Sequence, residues 1–248
     1  MKDLAITLLL WGYFTVGFLF CFAPFYLLSF FFASDRPAAF QRLNSLFYRG
    51  FFFLCRMTIP GHKWEIAPEV RAIRGAVIVS NHVSYLDSIL MVSLFPRLTT
   101  IAKARLFEIP IFGRVLALSG YIPSSGEGAY ASLLIDSLDS LATHFANGGN
   151  IVVFPEGTRS RDGVVGPFNK GAFKIARKFD VPLTVLRIRN TDILFTPGKF
   201  LFNTGCPNSI RVDLVSHLHP DYGHPDFSMK KLMGEVHRLI AESGDENH

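Results

Sequence analysis

A histidine and an aspartate lie five positions apart in the stretch VSNHVSYLDS, residues 79–88. The residues AVIVS that lead into it are apolar and β-branched, so the pair follows the end of a predicted strand. A carboxylate bound to one ring nitrogen fixes the tautomer of an imidazole and makes it more basic, and the other nitrogen can then take a proton from a hydroxyl. The stretch therefore predicts His82 as a general base and Asp87 as the carboxylate that orients it.

The same stretch also predicts the start of a helix. Ser84 precedes Asp87 by three residues and the apolar run SILMVSLF follows, which is a capping box with Asp in place of Glu. In an unbroken helix His82 and Asp87 would point about 140° apart, so they can meet only across a turn that precedes the helix. Capping and catalysis are compatible on this reading. We also expect Ser84 to lie among the substrate-binding residues.

A second polar cluster, PEGTRSRDG, follows the predicted strand NIVVF. It combines a flexible turn with a guanidinium that can hold a phosphate bidentately, through the residues Glu156, Gly157, Thr158 and Arg159. The alternative is a charged surface turn with an internal pair of Glu and Arg. Ligands of open α/β sheets bind beyond the carboxyl ends of the strands, so we expect both clusters to face one cleft.

No Gly-x-Ser-x-Gly elbow occurs in the chain, so a serine nucleophile has no evident position. The hydroxyl that His82 activates is therefore expected to belong to a substrate. NHVSYLD followed by FPEGTRS resembles the glycerolipid acyltransferase family with the His-x4-Asp motif. FGRVLALSGYIP and FNKGAFKIARKFDVP add to the likeness, which covers roughly residues 60 to 190.

The resemblance implies ester formation without a covalent enzyme intermediate. The acyl donor would be an acyl-CoA or an acylated acyl carrier protein, with no other cofactor and no metal. The acceptor would be the free hydroxyl of a lysophospholipid, foremost 1-acylglycerol 3-phosphate giving phosphatidic acid, and a different lysolipid is the alternative. The implied roles are general base for His82, orientation for Asp87, and acceptor binding for Glu156, Gly157 and Arg159, with Arg159 on the phosphate.

One departure from the family pattern concerns phosphate binding. After GYIP the family continues with an apolar residue, Asp and Arg, whereas this chain has Ser124, Ser125 and Gly126. Lys103 or Arg161 would then supply the second cation. Otherwise the acceptor differs from a lysophosphatidic acid.

The front of the chain predicts a membrane segment. Residues 4–34 include no Asp, Glu, Lys or Arg, and about 20 apolar residues already span a bilayer core. The run is about twice as long as the apolar part of a signal peptide, so we expect it to be retained. Pro24 divides it, and both one tilted spanning helix and a re-entrant hairpin fit.

Positive charge begins directly after this run, in a chain of net charge +5. Four arginines recur about every seven residues, which predicts an interfacial helix with its cations at anionic headgroups on the cytoplasmic side: Arg36, Arg42, Arg49 and Arg56. The alternative is a buried helix with a solvated edge. We therefore expect a membrane-embedded part at 1–58 and a catalytic domain at 59–248, at the inner (cytoplasmic) membrane. The basic residues match no nucleic-acid-binding module.

Beyond residue 75, short β-branched runs alternate with helical patterns. This alternation predicts the α/β class, with a largely parallel, helix-covered sheet. Predicted strands are AVIVS, LTTIAK, GYIP, NIVVFP, VPLTVLRI and IRVDLVSHL, and the last predicted helix is about SMKKLMGEVHRLIAE. The three cysteines, Cys21, Cys55 and Cys206, show neither disulfide nor Cys-x-x-Cys spacing.

Two rival sites remain open at this point. GEGAYA, residues 126–131, matches Gly-x-Gly-x-x-Ala before a helix and would suit a dinucleotide, although that reading leaves His82 and Asp87 without a role. HLHPDYGH crowds four potential metal ligands at a strand end: His217, His219, Asp221 and His224.

Overall fold

The computed structural model describes residues 1–125, 130–160 and 164–243. Seven strands form one sheet: β1 His62–Ile66, β2 Val77–Ser80, β3 Leu98–Ala102, β4 Ile122–Pro123, β5 Asn150–Val153, β6 Leu183–Arg189 and β7 Asn208–Leu218. Their order is β1-β7-β6-β2-β5-β3-β4. Every neighbouring pair is parallel except β6 and β7, so the predicted largely parallel sheet is confirmed.

Nine α-helices accompany the sheet in the described residues: α1 Lys2–Gly12, α2 Ala23–Phe32, α3 Arg36–Thr58, α4 Tyr85–Leu94, α5 Phe112–Leu118, α6 Tyr130–Ala146, α7 Gly171–Phe179, α8 Thr191–Leu194 and α9 Met229–Glu242. Residues Tyr13–Phe22 are π-helical and join α1 to α2. Short 3-10 turns cover Pro68–Ala72 and Ala104–Glu108.

Edge strand β1 was not predicted. Its sequence HKWEI alternates in exposure and lacks a β-branched run, so it carries a weak strand signal. It forms because β7 offers it a parallel partner, with His62 paired to Asn208 and Ile66 paired to Val212.

Helices cover both faces of the central strands, which are therefore apolar throughout. One cluster contains Ile78 and Leu186 with α1, α3 and α4, and we call this side the N-terminal face. The other contains Val77, Val79 and residues of α7 and α9, and we call it the α7 face. Alternate residues of β2 point to opposite sides, as the pleat requires.

The apolar front of the chain forms one helical run, Lys2–Phe32, that is long and apolar enough to cross or enter a membrane. It packs antiparallel along α3, because Phe14 contacts Phe51 whereas Tyr26 contacts Phe40. Only 11% of its most apolar stretch is buried. The outward side is large and apolar, with Val16, Leu19, Phe20, Phe25, Leu27, Leu28, Phe31 and Phe32 all exposed.

Helix α3 differs in part from the interfacial helix that its arginines predict. Most of its phenylalanines lie in the core against α4 and the N-terminal run, namely Phe40, Phe47, Phe51 and Phe52. Its four arginines are exposed, which matches the alternative of a buried helix with a solvated edge. Phe53 and Met57 remain on the outside and continue the apolar surface of the N-terminal run.

Candidate active site

The carboxyl ends of β2, β5 and β3 lie side by side, because these strands are parallel neighbours in the sheet. His82 follows β2, Glu156 follows β5 and Lys103 follows β3. The two predicted clusters meet: the backbone N–H of His82 donates to Oε1 of Glu156 at 3.1 Å, and the N–H of Ser160 donates to the His82 carbonyl at 2.8 Å. The two clusters therefore lie in contact at one edge of the sheet.

The imidazole and carboxylate of the first cluster are in contact. His82 Nδ1 lies 2.9 Å from Asp87 Oδ2. The same oxygen accepts from the backbone N–H groups of Val83 at 2.7 Å and Ser84 at 2.8 Å. Ser84 has extended backbone angles and α4 begins directly after it. This is the turn that the pair needs in order to meet, and the capping box is present as predicted.

Ser84 does not fit the substrate-binding role given to it on sequence grounds. Its side chain has no exposed surface. The hydroxyl donates to the carbonyl of Phe195 at 2.8 Å and accepts from the N–H of Leu86 at 3.3 Å. Both its donor and an acceptor position are used inside the protein, so we assign Ser84 to capping α4 and tethering the loop after α8.

The other ring nitrogen of His82 is placed to accept a proton. A carboxylate only accepts hydrogen bonds, so in the neutral imidazole the ring proton is on Nδ1 and the lone pair is on Nε2. Nε2 has no hydrogen-bond partner within the described parts of the chain, and 16% of the side chain is exposed. The ring stacks on Phe154 with centroids 4.2 Å apart and planes 22° apart. Its orientation is therefore held by Asp87 and Phe154 together.

Thr191 is a site residue that sequence reasoning missed. Its hydroxyl donates to Oδ1 of Asp87. Asn81 brings the two segments together, since its amide bonds both the N–H and the carbonyl of Ile188 at 2.8 Å and so joins the end of β2 to β6. The only sequence signal is the polar stretch NTD after β6, which becomes informative once β6 is known to lie beside β2.

The second cluster is a tight turn held by its own glutamate. Glu156 Oε2 accepts from the N–H of Gly166 at 3.0 Å while Oε1 holds His82. Gly157 has φ +68°, and a Cβ added there would lie 3.1 Å from Asn169 Nδ2. Asn169 in turn donates from its N–H to the carbonyl of Pro155 at 2.7 Å. The glycine is required by both the backbone angle and the space.

Arg159 lies over Tyr85, a residue between His82 and Asp87 in the chain. Its guanidinium carbon is 3.3 Å from the ring centroid of Tyr85, the first residue of α4. No described carboxylate lies within 4 Å of it, so the internal Glu156–Arg159 pair of the surface-turn alternative does not form. Its buried Nη1 has no hydrogen-bond partner among the described residues. This cation is available to an anionic ligand.

For the remaining predicted residues the structure gives only a position in the fold or nothing. Thr158 is exposed in the turn, and Lys103 is exposed at the carboxyl end of β3, on the same sheet edge as His82. Gly126 and Arg161 fall outside the described residues, as does most of the stretch proposed for a dinucleotide.

Two of the three histidines of the rival metal site have other partners. His217 Nδ1 bonds the hydroxyl of Thr184 at 2.8 Å, and His224 lies near Asp226. Within the described ranges, no group of three or more His, Cys, Asp or Glu side chains could hold a metal ion.

An apolar cavity of about 300 Å³ adjoins the site on the N-terminal face. Tyr85, which carries the Arg159 guanidinium on its ring, forms part of the wall. The lining is entirely apolar or aromatic and comes from α1 and the π-helical turns as well as from α3, α4 and the segment after α8: Leu10, Trp11, Phe14, Phe51, Tyr85, Leu86, Ile89, Phe195 and Phe202. The α4 residues Tyr85 and Leu86, which lie between His82 and Asp87 in the chain, thus line a space suited to a hydrocarbon chain.

A parallel sheet with this pair at its carboxyl edge and a Glu-Gly-Thr-Arg turn beside it defines the class of acyltransferase domains. The model of the Acyltransferase family matches residues 63–189, slightly more than half of the chain. The chain belongs to this family.

Curated relatives are named for one acceptor. The chloroplastic 1-acyl-sn-glycerol-3-phosphate acyltransferase BAT2 of Brassica napus is 34% identical over 67% of this chain and 46% of its own length. The 1-acyl-sn-glycerol-3-phosphate acyltransferase of Saccharomyces cerevisiae is 30% identical over 64% of this chain and 53% of its own. The chain thus spans about half the length of the curated relatives it matches.

A solved structure extends the comparison to the whole chain. The 1-acyl-sn-glycerophosphate (LPA) acyltransferase PlsC from Thermotoga maritima superposes with a TM-score of 0.72, covering 99% of this chain and 98% of its own. At 23% identity this likeness establishes a shared fold, N-terminal helices included.

Proposed function

We propose that this chain is a membrane-associated 1-acyl-sn-glycerol-3-phosphate O-acyltransferase that forms phosphatidic acid. The observation that carries the proposal is the meeting of three features at one sheet edge. His82 has a free Nε2 and is held by Asp87. Arg159 has no carboxylate partner in the described chain, and Tyr85, whose ring carries its guanidinium, lines an apolar cavity. The names of the relatives from Brassica napus and Saccharomyces cerevisiae support this acceptor.

The acyl group would pass directly from the thioester donor to the acceptor hydroxyl, without a covalent enzyme intermediate. Nε2 of His82 takes the proton of the acceptor hydroxyl as its oxygen attacks the thioester carbonyl. Asp87 stabilises the imidazolium that forms and keeps the ring in place. When the tetrahedral species collapses, the carbon–sulfur bond breaks and the imidazolium proton passes to the leaving thiolate. An ester and a free thiol result, with His82 returned to its starting state.

Two kinds of interaction would bind the acceptor: cations would hold its phosphate, and an apolar cavity would hold its acyl chain. The Arg159 guanidinium binds the phosphate. The Tyr85 ring, whose centroid is 3.3 Å from the guanidinium carbon, holds the guanidinium in position. Lys103, on the same edge, supplies a second cation in place of the arginine absent at Gly126. The acyl chain of the lysolipid enters the cavity against α1 and α4. Each methylene removed from water there contributes about 0.8 kcal/mol.

The N-terminal run would embed its exposed apolar side in the cytoplasmic membrane, with the catalytic edge toward the cytoplasm. Because the same run forms part of the cavity wall through Leu10, Trp11 and Phe14, a lipid acceptor could pass from the bilayer to His82 without crossing water. The acyl donor is an acyl-CoA or an acylated acyl carrier protein.

Product analysis tests this function. The purified full chain in lipid vesicles is given an acyl-CoA together with lysophosphatidic acid, lysophosphatidylcholine, lysophosphatidylethanolamine or lysophosphatidylglycerol, and the products are identified by mass spectrometry. We expect phosphatidic acid as the main product and none from His82→Ala. A preference for another lysolipid would show that the proposed acceptor is wrong, but the proposed acyl-transfer mechanism would still hold. Near-normal turnover by folded His82→Ala would contradict the mechanism.

A further inference from the structure

Helix α7 carries an uninterrupted positive face. Lys170, Lys174, Arg177 and Lys178 are exposed, whereas the opposite side of the helix is buried against the sheet. These four cations line a groove of about 450 Å³ together with Met229 at the start of α9. From Lys170 to Lys178 the stripe extends about 12 Å along the helix axis. We call it the α7 basic stripe.

The charge of the stripe is not neutralised within the described chain. None of its cations lies within 4 Å of a described carboxylate, in contrast to Arg97 and Arg211, which pair with acids. Arg177 and Lys178 lie over aromatic rings, each 5.3 Å from a ring centroid, that of Phe227 for Arg177 and that of Phe179 for Lys178. Lys230 and Lys231 follow Met229 and are also exposed. A concentration of unpaired cations of this kind attracts and orients an acidic partner.

The position of the stripe indicates a partner in water. Helix α7 packs on Val77 and Val79 of β2, while the N-terminal run belongs to the cluster with Ile78 on the other side of the sheet. The exposed apolar surface and the α7 basic stripe therefore lie on opposite faces. A protein seated on lipid through its N-terminal run presents the stripe to the aqueous phase.

The stripe also begins next to the reacting groups. Lys170 directly follows Asn169, whose N–H is bonded to the carbonyl of Pro155. Pro155 lies between Phe154, which stacks on His82, and Glu156, which binds its backbone. A macromolecule on α7 is thus docked beside the loop that walls the site.

We propose that the α7 basic stripe docks the acidic surface of an acyl carrier protein and that this protein is an acyl donor of the enzyme. The inference rests on the proposed function and names its donor. Because the stripe is about 12 Å long, its cations could pair with acidic residues along two turns of a partner's helix, whereas a single nucleotide would contact only part of it. The described residues that line the groove include no aromatic side chain on which an adenine would stack.

The test compares two donors that carry the same palmitoyl group, one on acyl carrier protein and one on CoA. We expect Lys174→Glu/Arg177→Glu in the full chain to raise KM for the carrier-protein donor at least tenfold. Its kcat, and all constants for palmitoyl-CoA, should stay within twofold. The matched control Lys63→Glu/Arg71→Glu makes the same charge change at exposed residues elsewhere and should leave both donors unaffected. Added salt should raise KM for the carrier-protein donor in the wild type.

Binding measured without turnover separates this proposal from the proposed function. Calorimetry with acyl carrier protein should give binding to the wild type and to His82→Ala, and a loss of at least tenfold in affinity for the α7 variant. If acyl carrier protein does not bind, or if the α7 substitutions leave its binding unchanged, the docking proposal is wrong. Transfer from palmitoyl-CoA would still support the proposed function. Equal losses with both donors would identify a nucleotide site and overturn the docking proposal too. Failure of transfer from both donors with binding intact contradicts the proposed function alone.

Discussion

Thr191 and His82 bind opposite oxygens of the Asp87 carboxylate. The Thr191 hydroxyl donates to Oδ1, while Oδ2 lies 2.9 Å from Nδ1 of His82. Thr191 is 104 residues away from Asp87 in the chain. With the N–H groups of Val83 and Ser84 also on Oδ2, four donors hold one carboxylate. The plane of the carboxylate, and through it the imidazole, is fixed from both the β2 and the β6 side of the site.

Replacing Thr191 by Val should lower kcat about tenfold and leave the acceptor KM nearly unchanged. The reason is that a hydrogen bond to a charged group contributes about 1.5–3 kcal/mol and here orients the pair rather than the substrate. Thr191→Ser keeps the hydroxyl and should recover most of the rate. Steady-state kinetics of the three proteins check this. A rise in KM alone would place Thr191 in substrate binding instead.

Asp87→Asn separates capping from catalysis. The side-chain oxygen of Asn can still accept from the backbone N–H groups of Val83 and Ser84, so α4 should still form and the melting temperature should change little. Turnover should nevertheless fall about 10³- to 10⁴-fold, since a neutral amide neither stabilises the imidazolium nor accepts from all four donors. Thermal unfolding and kcat are measured on the same sample. If activity survives, Asp87 serves α4 only.

Arg159→Ala should raise the acceptor KM about tenfold or more with little change in kcat, because its guanidinium is expected to bind the phosphate equally in ground and transition states. The KM of the acyl donor is the internal control and should remain constant. Arg159→Lys keeps the charge but loses the planar stacking on Tyr85 and should be intermediate. A pure loss of kcat would indicate transition-state stabilisation instead.

Gly157→Ala tests the turn that carries Arg159. At φ +68°, with Asn169 Nδ2 3.1 Å from the new methyl, the substitution should cost about 1–2 kcal/mol of stability. Gly171→Ala is the matched control, since nothing lies within 4 Å of its added Cβ, and its stability should be unchanged or slightly higher. Denaturant unfolding of both variants gives the comparison. Equal stabilities would show that the turn relaxes freely.

Phe31→Glu/Phe32→Glu should reduce binding to lipid vesicles at least tenfold. These side chains are 69% and 81% exposed at the end of the N-terminal run, and inserting a large apolar side chain contributes about 1.5–3 kcal/mol. Ile135→Glu is the control because Ile135 is similarly exposed, at 57%, on α6. Co-sedimentation measures the bound fraction. Loss of binding in the control alone would move the membrane surface to another part of the molecule.

Sequence reasoning succeeded where a feature depends on neighbours along the chain. The capping box and the contact between His82 and Asp87 arise within six residues, so the order of residue types was sufficient to predict them. It failed where partners are distant. The polar strand β1 exists because β7 pairs with it. The phenylalanines of α3 are buried because α4 and the N-terminal run cover them, and a helical period does not reveal which surface will cover a face.

Ser84 shows how the two levels differ at a single residue. Its role at the start of α4 was predictable from spacing. Its complete burial was not, because the carbonyl that accepts from its hydroxyl belongs to Phe195, 111 residues later.

The sequence by itself determined which groups are available: an imidazole and a carboxylate across a turn, a turn with the residues Glu-Gly-Thr-Arg, and a long apolar front. Tertiary structure alone decided that Glu156 reaches the backbone of His82 over 74 residues and that Thr191 adds a fourth donor to the Asp87 carboxylate. It also decided that the N-terminal run lines a cavity together with Tyr85, on whose ring Arg159 lies. The physical reason is that local hydrogen bonding depends on adjacent residues. The meeting of distant loops depends on strand order, which the packing of whole faces sets.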